Sequence, residues 1–221
     1  MIITIFGATG MVGKELVKQA LFKGYTVRAF GRNVFTSGFN DDNNLNLIQG
    51  ALFDDKQVLD AIKGSDAVCS TLGGAVDGND QTRSLGMKHI VTQMQKSGTS
   101  RIIAIGGMGI LLDEDGKLMM ESKGFNKTYL PVSLEHNKAY EYVKNSSLNW
   151  TFVCPPDIIN EGPTGIFKTA KDHLPADSSY IEKDIRDDFA NCSLSHILAV
   201  SGMHISYIII GVSVLLTKIF G

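Results

Sequence analysis

Apolar residues recur along most of this chain in short blocks, and longer amphipathic stretches separate them. Ile2, Ile3, Ile5 and Phe6 make the first block, a continuous run of the kind that a strand covered on both faces requires. Residues 14–22 follow with Leu16, Val17, Ala20 and Leu21 on one side of a helix. The alternation then repeats. Residues 25–30 read as a second strand, and 34–46, rich in Asn, Asp, Gly and Ser, as a polar loop with at most a short helix. Residues 47–50 read as a third strand. Residues 54–63 are predicted helical, with Asp54 as N-cap and Val58, Leu59 and Ile62 inward. Residues 67–72 are a fourth strand. A loop and then a helix fill 77–98, the helix carrying Leu85, Ile90, Val91 and Met94. Residues 101–105 are a fifth strand, 134–145 a helix, and 150–154 a sixth strand ended by Pro155-Pro156. Crossovers of this length predict right-handed parallel connections, hence an α/β, doubly wound sheet with its ligand at the carboxyl ends of the strands.

The first junction carries the candidate chemistry. Gly7, Gly10 and Gly13 stand at every third position between the opening strand and the first helix, a G-x-x-G-x-x-G spacing. Glycine at 7 allows a tight turn, and glycine at 10 lets backbone approach a pyrophosphate with no Cβ in the way. Glycine at 13 lets the helix lie close on the strand. Backbone N–H groups around Ala8, Thr9, Met11 and Val12 then face an anion together with the positive end of the helix dipole. Thr9 also offers a hydroxyl to the turn or to a phosphate oxygen. Strand, glycine turn and helix in this order point to a dinucleotide, against the plainer alternative of a β–α turn that binds nothing.

The end of the second strand selects between cofactors. An acidic residue about 20 residues past the glycines reads the ribose 2′-hydroxyl of NAD. Here the text is Ala29-Phe30-Gly31-Arg32-Asn33. A carboxylate would repel a 2′-phosphate, whereas a guanidinium pairs with it. Arg32, with Arg28 or Asn33 assisting, therefore predicts NADP(H) rather than NAD(H), the alternative being a plain surface arginine. Gly73-Gly74 after the fourth strand lets backbone pass close to a cofactor ribose, and Gly106-Gly107 and Gly109 fall on the same edge. Residues 111–131 form a long connection, either a lid over the site or a simple insertion.

Composition narrows the partners. A formal net charge of −2 over 221 residues, with no dense run of Lys or Arg, excludes a general nucleic-acid-binding surface. Cys69, Cys154 and Cys192 are odd in number and far apart, which fits reduced cytoplasmic thiols rather than a disulfide framework. No basic-then-apolar leader precedes Gly7. His196 and His204 lack companion carboxylates or thiols, so no metal site is expected. Residues 194–217 contain no Asp, Glu, Lys or Arg, and a helix there approaches the roughly 20 residues that cross a bilayer. A membrane segment and a wholly buried final element both fit that tail.

Three features together carry a family likeness: Gly7-Ala8-Thr9-Gly10 with Gly13, Arg32 after the second strand, and Leu148-Asn149-Trp150-Thr151-Phe152-Val153-Cys154-Pro155-Pro156. Over about residues 1 to 170 the chain resembles the atypical short-chain dehydrogenase/reductases, the NmrA-like NAD(P)-binding group that includes flavin and biliverdin reductases. The resemblance implies a Rossmann-type fold holding an extended nicotinamide dinucleotide. It places Thr71, Leu72 and Gly73 by the ribose, Lys138 at a lysine position for ribose hydroxyls, and Pro156 and Ile158 near the nicotinamide. It places Ala51 and Leu52 at the adenine. Ala51 stands where the group often has an Asp, which leaves only the Leu52 backbone for an adenine contact. Gly106-Gly107 stands where the wider superfamily often has a catalytic serine, and Leu134 where it has a tyrosine. Tyr140-x-x-x-Lys144 has the spacing of the active pair but lies too near the helix end, and reads as a chance match. His136 faces the substrate or is a surface or capping residue.

Without serine and tyrosine, ordinary carbonyl reduction lacks its usual acid. The expected activity is that of an NAD(P)H-dependent oxidoreductase passing hydride to a flavin, quinone or similar small acceptor that takes its proton from water. A non-catalytic NAD(P)-binding redox sensor is the alternative of a different class. Residues 1–177 are expected to form the NAD(P)-binding domain and 178–221 an atypical apolar tail. Within that tail, Leu194-Ser-His-Ile-Leu-Ala-Val-Ser-Gly-Met-His204 resembles a segment of the competence-protein family of DNA-uptake channels. The likeness covers only about forty residues, so a fusion, a sequence join and a tail-anchored membrane protein are the readings open for it.

Overall fold

The computed structural model describes residues 1–155 and 172–173. In chain order the described elements are β1 (Ile2–Phe6), α1 (Met11–Phe22), β2 (Thr26–Gly31), β3 (Leu45–Gln49), α2 (Asp55–Ile62), β4 (Ala67–Ser70), α3 (Thr82–Ser97), β5 (Arg101–Ile105), α4 (Leu130–Lys144) and β6 (Asn149–Val153). The polar segment between β2 and β3, read as a loop with at most a short helix, contains one 3₁₀ turn at Val34–Thr36. The sheet order is β3-β2-β1-β4-β5-β6, and β1 pairs in parallel with both β2 and β4. This is the Rossmann-like doubly wound fold. The order reverses between β1 and β4, and such a switch point opens a crevice beyond the strand ends. Register sets Phe6 opposite both Phe30 and Ser70, so β1, β2 and β4 end level there.

Burial explains why these residues make these elements. Ile3, Thr4, Ile5 and Phe6 are all inaccessible, as a central parallel strand requires. The Thr4 hydroxyl is satisfied inside by the Ala61 carbonyl at 2.8 Å and the Ser65 hydroxyl at 2.7 Å. Phe6 and Phe30, with ring centroids 4.9 Å apart, join Val58, Ile62, Met87, Ile90, Met94, Ile102 and Val143 in one core. The Asp54 carboxylate caps α2 by accepting from the Gln57 N–H at 3.0 Å. Gly98 ends α3 at φ +80°, a left-handed stop that suits glycine.

Several boundaries and faces differ from the sequence reading. α1 starts at Met11 and α4 at Leu130. Pro131 lies in the first turn of α4, where a missing N–H leaves no helical bond unmade. Leu85, expected inward, is exposed. Ile90, Val91 and Met94 are buried as expected, and Arg83 and Met87 rather than Leu85 continue that stripe toward the start of α3.

The chain divides into two compact units, Met1–Ile105 with Glu135–Phe152, and Gly106–Leu134 with the chain from Val153 onward. In the second unit, 3₁₀ turns at Met108–Ile110, Met119–Glu121 and Lys127–Tyr129 order the connection after β5. Leu112 bridges to Leu118 within it. The expected boundary at 177/178 and the apolar tail lie outside the described residues. Among the described residues no helix is long and apolar enough to cross a membrane.

Candidate functional site

The glycine turn has three different geometries at its three glycines. Gly7 has φ +78°, and a Cβ there would sit 2.5 Å from the Thr71 carbonyl oxygen; both the backbone angle and the space demand glycine. A Cβ on Gly13 would overlap the Gly7 carbonyl oxygen and come within 2.8 Å of the Ala8 Cα, so α1 lies directly on the turn. A Cβ on Gly10 would meet only the Gly7 oxygen, at 3.3 Å. Gly10 is exposed, and its outer side faces open space rather than protein. The Gly10 N–H donates to the Gly7 carbonyl at 3.0 Å and closes the turn.

Gly10 is also the N-cap of α1, with no side-chain cap hydrogen bond and no acidic residue in the first turn. Among the described residues the N–H groups of Met11, Val12 and Gly13 therefore have neither an intrahelical nor a side-chain acceptor. Met11 is half exposed, at 52%. The Thr9 methyl lies 3.1 Å from where a Gly31 Cβ would be, so the turn leans over the end of β2. Its hydroxyl makes no hydrogen bond among the described residues.

At the end of β2, Arg32 and Asn33 are both exposed. The Arg32 carbonyl accepts from Gln49 Nε2 at 3.0 Å, and its guanidinium has no partner among the described residues. The Asn33 carbonyl accepts from the Thr36 and Ser37 hydroxyls. Arg28 does not assist Arg32. Its Nη1 donates to the Ala61 and Lys63 carbonyls at 3.1 and 2.7 Å and lies 3.3 Å from the Ser65 hydroxyl. It thus satisfies the last carbonyls of α2.

Along the rest of this edge, the Ala51 N–H is taken by Gln57 Oε1 at 2.8 Å. Leu52 and Leu72 are half-buried, and their methyl groups close on Gly86 of α3, where a Cβ would lie 2.5 and 2.8 Å from them. Thr71 ties β4 to β1: its N–H and hydroxyl both donate to the Phe6 carbonyl, at 2.9 and 3.0 Å. Gly73 is exposed, with nothing within 4 Å of a Cβ position.

A buried polar cluster that the sequence reading missed lies at the start of α3. Arg83 is 9% exposed and donates from Nη1 to the Ala75 carbonyl at 2.9 Å and from Nη2 to the Gly74 carbonyl at 3.0 Å. Asp80 accepts from the Ala75 and Thr82 N–H groups at 2.9 and 2.8 Å. Hydrogen bonds from Thr82, side chain and backbone, hold its carboxyl below the usual range. Glu135 of α4 accepts from the Ser84 hydroxyl at 2.5 Å and from Lys138 Nζ at 2.8 Å. Burial is the largest influence and pushes the Glu135 carboxyl up, but the bonds from Lys138 and Ser84 together with the Lys138 charge outweigh it, and the group lies below its ordinary value. The available signal was position. Arg83 and Glu135 each share a helical face with buried apolar residues, Met87 and Ile90 in one case and Ala139 in the other.

His136 and Lys138 belong to this neighbourhood. Burial, and then the Arg83 charge, push His136 down to about 4 against the opposing Glu135, so it is neutral at pH 7. Lys138 is committed to Glu135 and lines a hollow between α3 and α4 with Val91, Gln95 and Tyr142. Tyr140 packs edge-on against Trp150 and Phe152, at centroid distances of 5.6 and 5.5 Å, with Lys144 Nζ 5.4 Å from its ring centre. Cys69 and Cys154 are buried, and burial pushes both thiols up to about 12. Pro156, Ile158, Cys192, His196 and His204 lie outside the described residues.

A model of the NAD(P)H-binding family matches residues 7–196, and one of the competence-protein family matches residues 174–220. An uncharacterised chloroplastic protein of Arabidopsis thaliana is 26% identical over 171 residues, 73% of this chain, and the chain spans 60% of that relative's length. A Burkholderia pseudomallei protein provisionally described as exported is 27% identical, with TM-score 0.74 over 99% of this chain and 93% of its own. A Streptococcus pneumoniae protein provisionally described as an NADH-flavin reductase shares the fold at 22% identity, with TM-score 0.73 over 99% and 93% of the two chains.

Proposed function

We propose, given that this chain belongs to the NAD(P)H-binding family, that it is an oxidoreductase using NADP(H) and reducing a small acceptor of the flavin or quinone class. The observation that carries this reading is the bare N-terminus of α1. Among the described residues its first-turn N–H groups have no side-chain acceptor, and the turn contains no acidic residue, beside a glycine whose outer side is open. A diphosphate supplies the missing acceptors and the missing negative charge. The name of the pneumococcal neighbour supports the acceptor class.

The residues present fit the dinucleotide. Thr9, Gly10, Met11 and Val12 face the diphosphate, Gly7 and the buried Ala8 and Gly13 shape the turn beneath them, and Arg32, with Asn33 beside it, holds the 2′-phosphate. Leu52, next to Ala51, contacts adenine, Thr71 to Gly73 lie along the ribose, and Lys138 is the side chain offered to the ribose hydroxyls of the nicotinamide half. When bound, NADPH supplies a hydride. Gly106-Gly107 and Leu134 provide no hydroxyl acid, so the acceptor draws its proton from water. His136, neutral at pH 7, is the residue we place toward the acceptor.

Stopped-flow oxidation of NADPH with FMN or a naphthoquinone tests this. Acceptor-dependent turnover is expected. Tight cofactor binding with no turnover on any acceptor supports the second reading, a redox sensor, which the same lack of a hydroxyl acid favours. We read residues 178–221 as a segment joined to an NAD(P)H-binding domain spanning 1–177. The competence-family match, confined to residues 174–220, supports a separate origin for that segment. Partition of the full chain into membranes would favour a tail anchor instead.

A further inference from the structure

The loop after β4 is built unlike the turn after β1, and its stiffness comes from two side chains. Gly73 stands in open space, two residues past Thr71, whose carbonyl closes on Gly7. Immediately beyond it every polar backbone atom of Ala75 is taken. Its N–H goes to Asp80 Oδ2 at 2.9 Å and its carbonyl to Arg83 Nη1 at 2.9 Å, while the Gly74 carbonyl goes to Arg83 Nη2 at 3.0 Å. Gly74 has no room for a side chain, because a Cβ would lie 2.5 Å from Asp80 Oδ2. Asp80 in turn accepts from the Thr82 N–H at the start of α3.

Burying a guanidinium is costly unless its donors are used and its charge is balanced. Arg83 spends two donors on neutral carbonyls, and its charge is balanced by Asp80 and Glu135. Glu135 is itself fixed by Ser84 and Lys138. A surface loop needing only to connect β4 to α3 would not require this arrangement. What it achieves is a fixed position for Gly73 beside the glycine turn.

We infer that Arg83, with Asp80, is a positioning residue for dinucleotide binding: its fork on the Gly74 and Ala75 carbonyls holds Gly73 where the cofactor passes. This rests on the NADP(H) reading above. Arg83 does not touch the cofactor; it acts through the loop. A planar fork reaches two adjacent carbonyls at once, and a lysine ammonium does not reproduce that geometry.

The test uses the full chain with Arg83→Met, Arg83→Lys and Asp80→Asn. For Arg83→Met we expect the NADPH dissociation constant to rise roughly tenfold, the size of losing hydrogen bonds from a charged donor. Hydrogen exchange should accelerate at the Ala75 and Thr82 amides while the sheet amides stay protected. Arg83→Lys keeps the charge and should not restore affinity. Restoration by lysine would show that charge alone matters and overturn the inference. If Arg83→Met does not fold, Asp80→Asn decides, with a smaller loss of affinity and the same local exchange. Wild-type protein that binds NADPH, with all folded variants binding equally well, defeats this inference alone. Wild-type protein that binds no dinucleotide defeats the NADP(H) reading, and this inference with it.

Discussion

The two glycine stretches at the carboxyl edge of the sheet, Gly7–Gly13 after β1 and Gly73-Gly74 after β4, are shaped by different means. In the first, backbone packs on backbone: a side chain at 7 strikes the Thr71 carbonyl and one at 13 strikes the Gly7 carbonyl. In the second, Gly74 is crowded by the Asp80 carboxylate and Gly73 by nothing, and the Asp80 and Arg83 side chains, five to nine residues downstream of the backbone they bond, hold the loop. The difference separates a turn written into chain geometry, which we propose as the diphosphate cradle, from a loop that depends on side-chain bonds. The first tolerates no substitution at two of its positions, whereas the second can be loosened by degrees.

The sharpest way to break this contrast is at Gly13. Gly13→Val drives a branched side chain into the Gly7 carbonyl, so dinucleotide binding should be lost and stability should fall by more than ~3 kcal/mol. Titration and thermal melting of the same sample check both effects. Next is Arg32→Ala, which removes a guanidinium with no partner among the described residues. It should weaken NADPH about tenfold, the value of a charge-assisted contact, and leave NADH unchanged. Equal losses for both cofactors would remove the 2′-phosphate reading.

A smaller effect concerns the second stretch and its neighbour. With His136 lowered to about 4, the unfolded imidazole binds a proton that the folded one refuses between about pH 6.5 and 4. Stability should therefore fall on acidification through that window, by on the order of 2 kcal/mol for a half-buried group, and should not change through His136 above about pH 7. Urea unfolding at stepped pH measures it, and Arg83→Met should move the His136 titration, followed by NMR, upward. The smallest expected effect is at Gly24, which has φ +77° but nothing within 4 Å of a Cβ. Gly24→Ala should cost about 1 kcal/mol, the left-handed penalty alone, with cofactor affinity intact.

The contrast also explains what was legible beforehand. Strand runs such as Ile2–Phe6 and the glycine spacing are local patterns; the surroundings of Gly10 and Gly13 are neighbours only a few residues away, and Gly7 is marked by its turn, although Thr71 on β4 is what fills the space beside it. The core face of α2 and the Asp54 cap were legible for the same reason. Arg83 was not, because its meaning depends on carbonyls across a loop and on Glu135, fifty-two positions along the chain. Arg28 misled in the opposite sense. It is near Arg32 in sequence, but mid-strand in β2 its side chain turns to the end of α2. Leu85 looked like a core residue because, in the first turn of α3, the inward position is taken by Arg83 rather than by an apolar side chain.

Calorimetric titration of the full chain with NADPH and with NADH, at one ionic strength, tests the central claim most directly. One saturable site is expected, with NADPH the tighter ligand. Absence of binding by either nucleotide would contradict the assignment of the uncapped α1 terminus as a diphosphate site.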